Sequence, residues 1–269
     1  MTNHRLQALL KPSSIAILGA SQKSGSVGNE VVKNLVRGGF EGEIFGVNPS
    51  YDEVEGIPCY QSLAHLPKVP QHVIFAINDH RIEAALDEVV SIGIPACTIF
   101  SALIISDDST PNLKQRIATK AQDAGLLVAG ANGMGFYNVR DRVLAGGFDT
   151  RDHPYPGNVT LISQSGAGMS GIVDCEGRIQ FNFAVSSGYE LTVSMEDYLD
   201  YALDLPETRV VGLFLETSRH PEKLIKAFKK ANQRDIPVVV LKVGRTDLAA
   251  ELAISHSGAL AGSDRCYQA

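Results

Sequence analysis

The sequence predicts an α/β protein made of two successive domains that meet near residue 150. Three observations carry this. Short, continuous apolar runs alternate with stretches of helical periodicity, the pattern of parallel strands covered on both faces. Two strand-to-helix junctions rich in small residues recur, "LGASQKSGSVGNE" after the first apolar run and "LISQSGAGMSG" (161–171) after a later one. Between the two series lies "RDHPYPGN" (151–158), polar and proline-bearing, which reads as a linker.

In chain order, "SIAILGAS" (14–21) reads as a buried strand. It is followed by a helix over 27–39 whose core face is Val27, Val31, Val32, Leu35 and Val36, with Gly38 and Gly39 as its stop. "EIFGVNP", "HVIFAIN", "PACTIFS" and "GLLVAG" are the next strands. Helical stretches separate them, such as 80–93 with Ile82, Ala85, Leu86 and Val89 on one face. The second series reads "VTLIS" (strand), "QSGAGMSGIV" (helix start), "FNFAVSS" (strand) and "SMEDYLDYALDL" (helix). It continues with "RVVGLFLE" (strand), "HPEKLIKAFKKANQR" (helix) and "PVVVLKVG" (strand). Domains over 1–150 and 151–269 follow.

Composition narrows the function. Of 269 residues 44% are apolar and 20% charged, with a net charge of −6, so a basic nucleic-acid surface is not expected. No run reaches the ~20 apolar residues of a membrane span, and the start lacks a secretory apolar core. Cys59, Cys97, Cys175 and Cys266 show no CxxC spacing, which points to reduced thiols and a cytoplasmic protein. His4, His65, His72, His80, His153 and His220 have no pattern of metal-ligand partners, so no metal site is expected.

The first junction suits a phosphate-bearing ligand above a helix N-terminus, where free amides and the helix dipole favour an anion. Its glycines, Gly19, Gly25 and Gly28, fit neither G-x-G-x-x-G nor a GK[ST] phosphate loop. Strand two ends at Asn48-Pro49, where a dinucleotide site would want an acidic residue. A nucleotide-like ligand other than NAD is expected there, with packing alone as the plainer reading. At the second junction Ser165 and Gly166 sit at or beside a helix start, and "RVVGLFLET" delivers Glu216 to a strand's carboxyl edge. His256, in "AISHSGALAGSD", lies on a loop of small residues, so a neutral imidazole could accept a phosphoryl group while a carboxylate orients it. Read alone, His256 is equally a solvated loop histidine. The order Ser165, Glu216, His256 also matches an α/β-hydrolase, although "SQSGA" lacks the first glycine of the nucleophile elbow.

Taken together, these residues resemble the NDP-forming acyl-CoA synthetases. "LGASQKSGSVG" with "GVNPSYDEVEGIPCYQSLAHLP" is similar to that family's CoA-binding domain. "ISQSGA", "LFLET", "VVVLKVGRT" and "SHSGALAGSD" are similar to the domain that follows it. The resemblance implies a Rossmann-like domain and then a flavodoxin-like parallel α/β domain. It implies that His256 is phosphorylated, that Glu216 holds it, and that Ser163, Ser165 and Gly166 receive the phosphate. Gly19, Ser21 and Asn48 would lie in CoA-binding loops, and Asn132, in "GANGMG", in a loop facing the active site. The implied reaction is carboxylic acid + CoA + ATP ⇌ acyl-CoA + ADP + phosphate, through an acyl phosphate and a phosphohistidine.

Two departures stand out: Ala131 and Gly133 flank the asparagine where the family has GPNxxG, and "TIFSALIISDD" lacks the family's glycine and acidic residue after strand four. No ATP-binding loop occurs, and the chain ends thirteen residues past His256. ATP/ADP and Mg²⁺ are therefore expected on an ATP-grasp domain or β-like subunit outside this chain, in an oligomer. A CoA-binding regulatory module without turnover is the alternative.

Overall fold

The computed structural model describes residues 4–175 and 177–244. A short helix α1 (Gln7–Leu10) precedes β1 (Ser14–Leu18), α2 (Val27–Arg37) and β2 (Glu43–Val47). A small antiparallel pair follows, β3 (Glu53–Val54) and β4 (Ile57–Tyr60). Then come β5 (His72–Phe75), α3 (Asp79–Ile92), β6 (Ala96–Ile99), α4 (Leu113–Asp123) and β7 (Leu127–Gly130). The face of α3 is the one the periodicity marks, with Ile82, Ala85, Leu86 and Val89 buried. On α2 Val31, Val32 and Leu35 are buried, but Val27 and Val36, at its two ends, are exposed, because the core contact is confined to the middle turns. Gly38 ends α2 and Gly93 ends α3, the latter in the left-handed conformation that glycine adopts without penalty. Helix α4 begins with a capping box between Asn112 and Gln115.

These strands form one sheet in the order β3-β4-β2-β1-β5-β6-β7, parallel throughout except for β3. Leaving β3 aside, this is the doubly wound Rossmann order, whose direction reverses between β1 and β5.

The second sheet takes in β8 (Gly135–Asn138), β9 (Val143–Gly146), β10 (Val159–Ser163), β11 (Phe181–Ser186), β12 (Val210–Leu215) and β13 (Val238–Lys242). Helices α5 (Gly166–Cys175), α6 (Met195–Leu203) and α7 (Pro221–Gln233) connect them. The order is β13-β12-β10-β11-β8-β9; β10 to β13 are parallel, a flavodoxin-like arrangement whose direction reverses between β10 and β12. The β8–β9 hairpin joins antiparallel to β11, so residues ahead of the linker enter the second sheet.

The two sheets share a core. Leu6, Leu9 and Leu10 of the N-terminal segment lie in one apolar cluster with Ile15, Phe183, Tyr198 and Tyr201. Asn34, fully buried on α2, donates through Nδ2 to the carbonyls of Gly146 and Phe148 at the end of β9. A buried amide with both protons met fixes α2 against the second sheet more specifically than apolar contact alone. That contact sets the two reversal points of the sheets in one fixed relation. Among the described residues no helix is long and apolar enough to cross a membrane.

Candidate active site

At the β1/β5 reversal a cavity of about 510 Å³ is lined by Gly19, Ser21, Ser26, Gly28, Asn48, Phe75, Ile77, Asn78, Arg81 and Phe100, among others. Ser26 is the N-cap of α2 and its Oγ accepts the Asn29 N–H (3.3 Å). Val27 and Gly28, the first helical residues, are left with N–H groups that have no intrahelical acceptor, at the end of α2 that lines the cavity. Gly28 is required by packing: a Cβ there would run into the carbonyl oxygen of Gly19, whose own φ of +96° also favours glycine. Asn48 spends its side chain on the loops, with Nδ2 donating to the Ala20 carbonyl (2.8 Å) and Oδ1 accepting the Ser50 N–H (3.0 Å). Ser21 Oγ accepts the Lys23 N–H (3.0 Å). Asn48 and Ser21 therefore shape the rim, while Arg81 brings the cationic side chain. Phe75, Ile77 and Phe100 supply an apolar strip.

At the β10/β12 reversal a second cavity, of about 230 Å³, is lined by Asn132, Gly133, Met134, Gln164, Ser165, Gly166, Ala167, Gly188, Tyr189 and Glu216. Phe100 lines this cavity too, so one aromatic ring borders both. Ser165 Oγ accepts the Gly168 N–H (3.1 Å) as a helix cap does, leaving the amides of Gly166 and Ala167 at the cavity. Glycine at 166 lets Met134 approach: a Cβ there would stand 2.7 Å from Met134 Cγ. No cationic side chain lines this cavity among the described residues, so an anion bound here would rest on helix-end amides. Tyr189 is backed by Lys114, whose ammonium lies 4.4 Å from the ring centroid; burial, then Arg219, lowers the pKa of that lysine.

The comparisons with known proteins follow this division. Residues 13–138 match a family described as a CoA binding domain, and residues 156–269 match a succinyl-CoA ligase like flavodoxin domain. The chain carries a CoA binding domain followed by a succinyl-CoA ligase like flavodoxin domain. An ADP-forming acetate–CoA ligase of Methanocaldococcus jannaschii is 31% identical over 99% of this chain and 37% of its own length. The alpha subunit of the ADP-forming acetate–CoA ligase I of Pyrococcus furiosus is 29% identical over 98% of this chain and 58% of its own. In structure the chain is similar to an acetyl-coenzyme A synthetase 1 of Ca. Korarchaeum cryptofilum in complex with phosphate and ADP. That match has a TM-score of 0.87 and 28% identity over 98% of this chain and 57% of the other. The chain thus spans well under two thirds of the length of these synthetases.

Among the residues expected to act in a synthetase of this type, Gly19, Ser21 and Asn48 gather at the first cavity, and Asn132, Ser165, Gly166 and Glu216 at the second. Ser163 does not line either. It is fully buried, its Oγ donates to the Ser165 carbonyl (2.7 Å) and accepts the Ser165 N–H (3.2 Å), and so it braces the turn from beneath. His256 lies outside the described residues. Sequence reasoning passed over Phe100, Met134, Tyr189, Arg81 and Gln164, which have no spacing signature; only the positions of Phe100 and Gln164 at the carboxyl ends of strands could have marked them.

Both departures lie in segments that reach these cavities, through Phe100 and Ser101 at the first and Asn132 and Gly133 at the second. Leu103, in the segment where the family carries a glycine, takes φ +55° while buried, its N–H bonded to Asp79 Oδ1 (2.8 Å). Ala131 is fully buried and its carbonyl accepts the Tyr189 N–H (2.7 Å), which ties the Asn132 loop to the loop carrying Tyr189. No group of three or more His, Cys, Asp and Glu side chains that could hold a metal occurs among the described residues.

Proposed function

We propose that this chain is the CoA-binding and phosphohistidine-bearing portion of an ADP-forming acid–CoA ligase, working in the cytoplasm as part of an oligomer and dividing near residue 150 into its two functional halves. The observation that carries this reading is the pair of cavities at two sheet reversals with Phe100 bordering both. A long ligand can lie with its phosphates toward Val27, Gly28 and Arg81 and its arm along Phe75, Ile77 and Phe100. Its reactive end then reaches the cavity of Asn132, Ser165, Gly166 and Glu216. The residues fit CoA as co-substrate on those grounds: amides and one cation for phosphate, an apolar strip for the arm, and no ribose-binding carboxylate at Asn48.

In this reading His256 attacks the γ-phosphoryl group of ATP, and ADP leaves. The carboxylate of the acid substrate takes the phosphoryl group from the histidine, giving an acyl phosphate and free imidazole. The CoA thiol, losing its proton, attacks the acyl carbon, and phosphate departs. Glu216 orients the imidazole, and the Gly166 and Ala167 amides with the start of α5 stabilise the phosphoryl oxygens by about 0.3–1 kcal/mol, or ~2 when partly buried. ATP and Mg²⁺ belong to an ATP-grasp domain or β-like subunit, a reading supported by the greater length of the relatives.

Incubating the full protein, with its ATP-grasp part, with γ-labelled ATP should give an acid-labile, base-stable label that His256→Ala abolishes. A label of undiminished size in that variant would overturn the assignment. Calorimetric titration should show binding of CoA and none of NAD; tight NAD binding with no CoA binding would remove the N-terminal half of the proposal.

A further inference from the structure

The segment 216–220 beyond β12 is gripped by three buried side chains, and one of them uses every hydrogen-bonding position it has. Gln164 Oε1 accepts the N–H groups of Glu216 (2.7 Å) and Thr217 (2.9 Å). Its Nε2 donates to the Thr217 carbonyl (2.7 Å) and to Glu190 Oε1 (3.0 Å). Two backbone N–H groups can only meet an oxygen, so chemistry fixes which way the amide faces. Glu190 Oε1 also accepts from Ser187 Oγ (2.7 Å) and the Met195 N–H (3.1 Å), and its Oε2 receives Arg219 Nε (3.0 Å). Glu196 Oε1 accepts from Ser218 Oγ (2.6 Å) and the His220 N–H (3.3 Å). Every residue from Glu216 to His220 therefore meets a buried side chain.

A strand end needs none of this. Water would satisfy the same amides without desolvating anything, whereas burying an amide and two carboxylates is costly unless their lone pairs are met. Glu190 adds backbone cost, holding φ +56° as a non-glycine residue. All of these groups converge on the short segment that opens with Glu216 at the rim of the second cavity.

We propose that Gln164 is a positioning residue for Glu216, fixing the 216–217 backbone from beneath, with Glu190 as the anchor that fixes the Gln164 amide in turn. This rests on the reading of Glu216 as the carboxylate that orients His256. Gln164 touches no reacting atom in this role. It sets where the Glu216 carboxylate can stand, and a displacement near 1 Å at such a group costs about 10²-fold in rate.

The test is a double-mutant cycle on the full protein, with its ATP-grasp part, following the rate of His256 labelling from γ-labelled ATP. Gln164→Ala removes the grip; Gln164→Asn keeps an amide too short to span it and serves should the alanine variant fold poorly. Calorimetry with CoA provides the check on the fold. Each variant should label about 10²-fold more slowly, bind CoA within twofold of wild type, and lose nothing further when Glu216→Gln is already present. Wild-type labelling rates, or equal losses with and without the Glu216 carboxylate, would overturn the proposal while leaving the phosphohistidine reading intact. A wild-type protein that never labels His256 would overturn both.

Discussion

The two strand-to-helix turns, at Ser26 and at Ser165, are built alike and serve differently. In each, a serine hydroxyl accepts the N–H three residues on, from Asn29 or from Gly168, and leaves the first two helical amides at a cavity. Around the first, the loops are tied to one another and to the helix they lead into: Ser21 to Lys23, Asn48 to Ser50 and Ala20, the Gly25 N–H to Glu30, and buried Asn29 to the Ser21 carbonyl and Glu55. Around the second, the opposite strand end is clamped by buried Gln164, Glu190 and Glu196. A binding cleft tolerates small movement because many contacts share the ligand. A reacting group does not, because one distance governs the rate. The difference in bracing fits the difference in task proposed for the two turns.

The largest effect expected from breaking the comparison is at the second turn. Glu216→Gln keeps the shape and the backbone bonds to Gln164 but removes the charge that would orient the imidazole and stabilise the positive charge it gains on attack. His256 labelling should fall about 10²–10⁴-fold, the range seen when an orienting carboxylate is lost elsewhere. Unchanged labelling would show that Glu216 is only a strand end.

At the first turn, Gly28→Ala should be next in size. Its Cβ meets the Gly19 carbonyl, a backbone atom that cannot turn aside, so α2 must shift. Overpacking of this kind costs about 1–3 kcal/mol. CoA affinity measured by calorimetry should drop roughly tenfold or more, while the second turn keeps its bonds. Full CoA affinity in a folded variant would place the ligand elsewhere.

Glu190 sharpens the contrast through pH. Burial pushes its carboxyl up to about 6, against hydrogen bonds from Ser187 and Gln164 and the charge of Arg219, with Glu196 nearby adding to the rise. The folded value lies above the ordinary 4.5, so stability is fully present below the unfolded value and is lost as pH rises through about 6. The ionised anchor thus weakens the fold at neutral pH, as buried ion pairs often do. In Glu190→Gln the fall in unfolding free energy between about pH 5 and pH 7.5 should be about 1 kcal/mol smaller than in wild type. Labelling of His256 by the wild-type protein should also weaken below about pH 6, where Arg219 loses its charged partner. The variant should lose that part of the acid limb and keep only the part that protonation of a nucleophilic imidazole imposes. Identical pH profiles would remove Glu190 from the account.

The smallest effect tests the middle of α5. Gly171 has nothing within 4 Å of where a Cβ would stand. Gly171→Ala should therefore raise stability by about 0.5–1 kcal/mol through helix propensity, leaving labelling and CoA binding alone. A loss of labelling would show that α5 must flex during turnover.

Much of this was legible from residue order. Local chemistry determined β1, the Val31, Val32 and Leu35 face of α2, its stop at Gly38 and the helix start beside Ser165, because a 3.6-residue period or a cap acts within a few residues. The β8–β9 hairpin escaped, since its two four-residue strands are buried at every position and show no alternation. Ser163 shows the limit at the site: the family resemblance implies a phosphate ligand there, yet its hydroxyl closes on Ser165 inside the turn. The residue order could name Glu216 and Ser165, because one follows a strand and the other opens a helix, while Asn132 came from the family resemblance alone. Only tertiary structure decided that these three share a cavity, that Phe100 borders it and the CoA-like cleft, and that Gln164 and Glu190 hold the Glu216 segment. Those contacts join residues 26 or more positions apart, and no local preference encodes a distance of that kind.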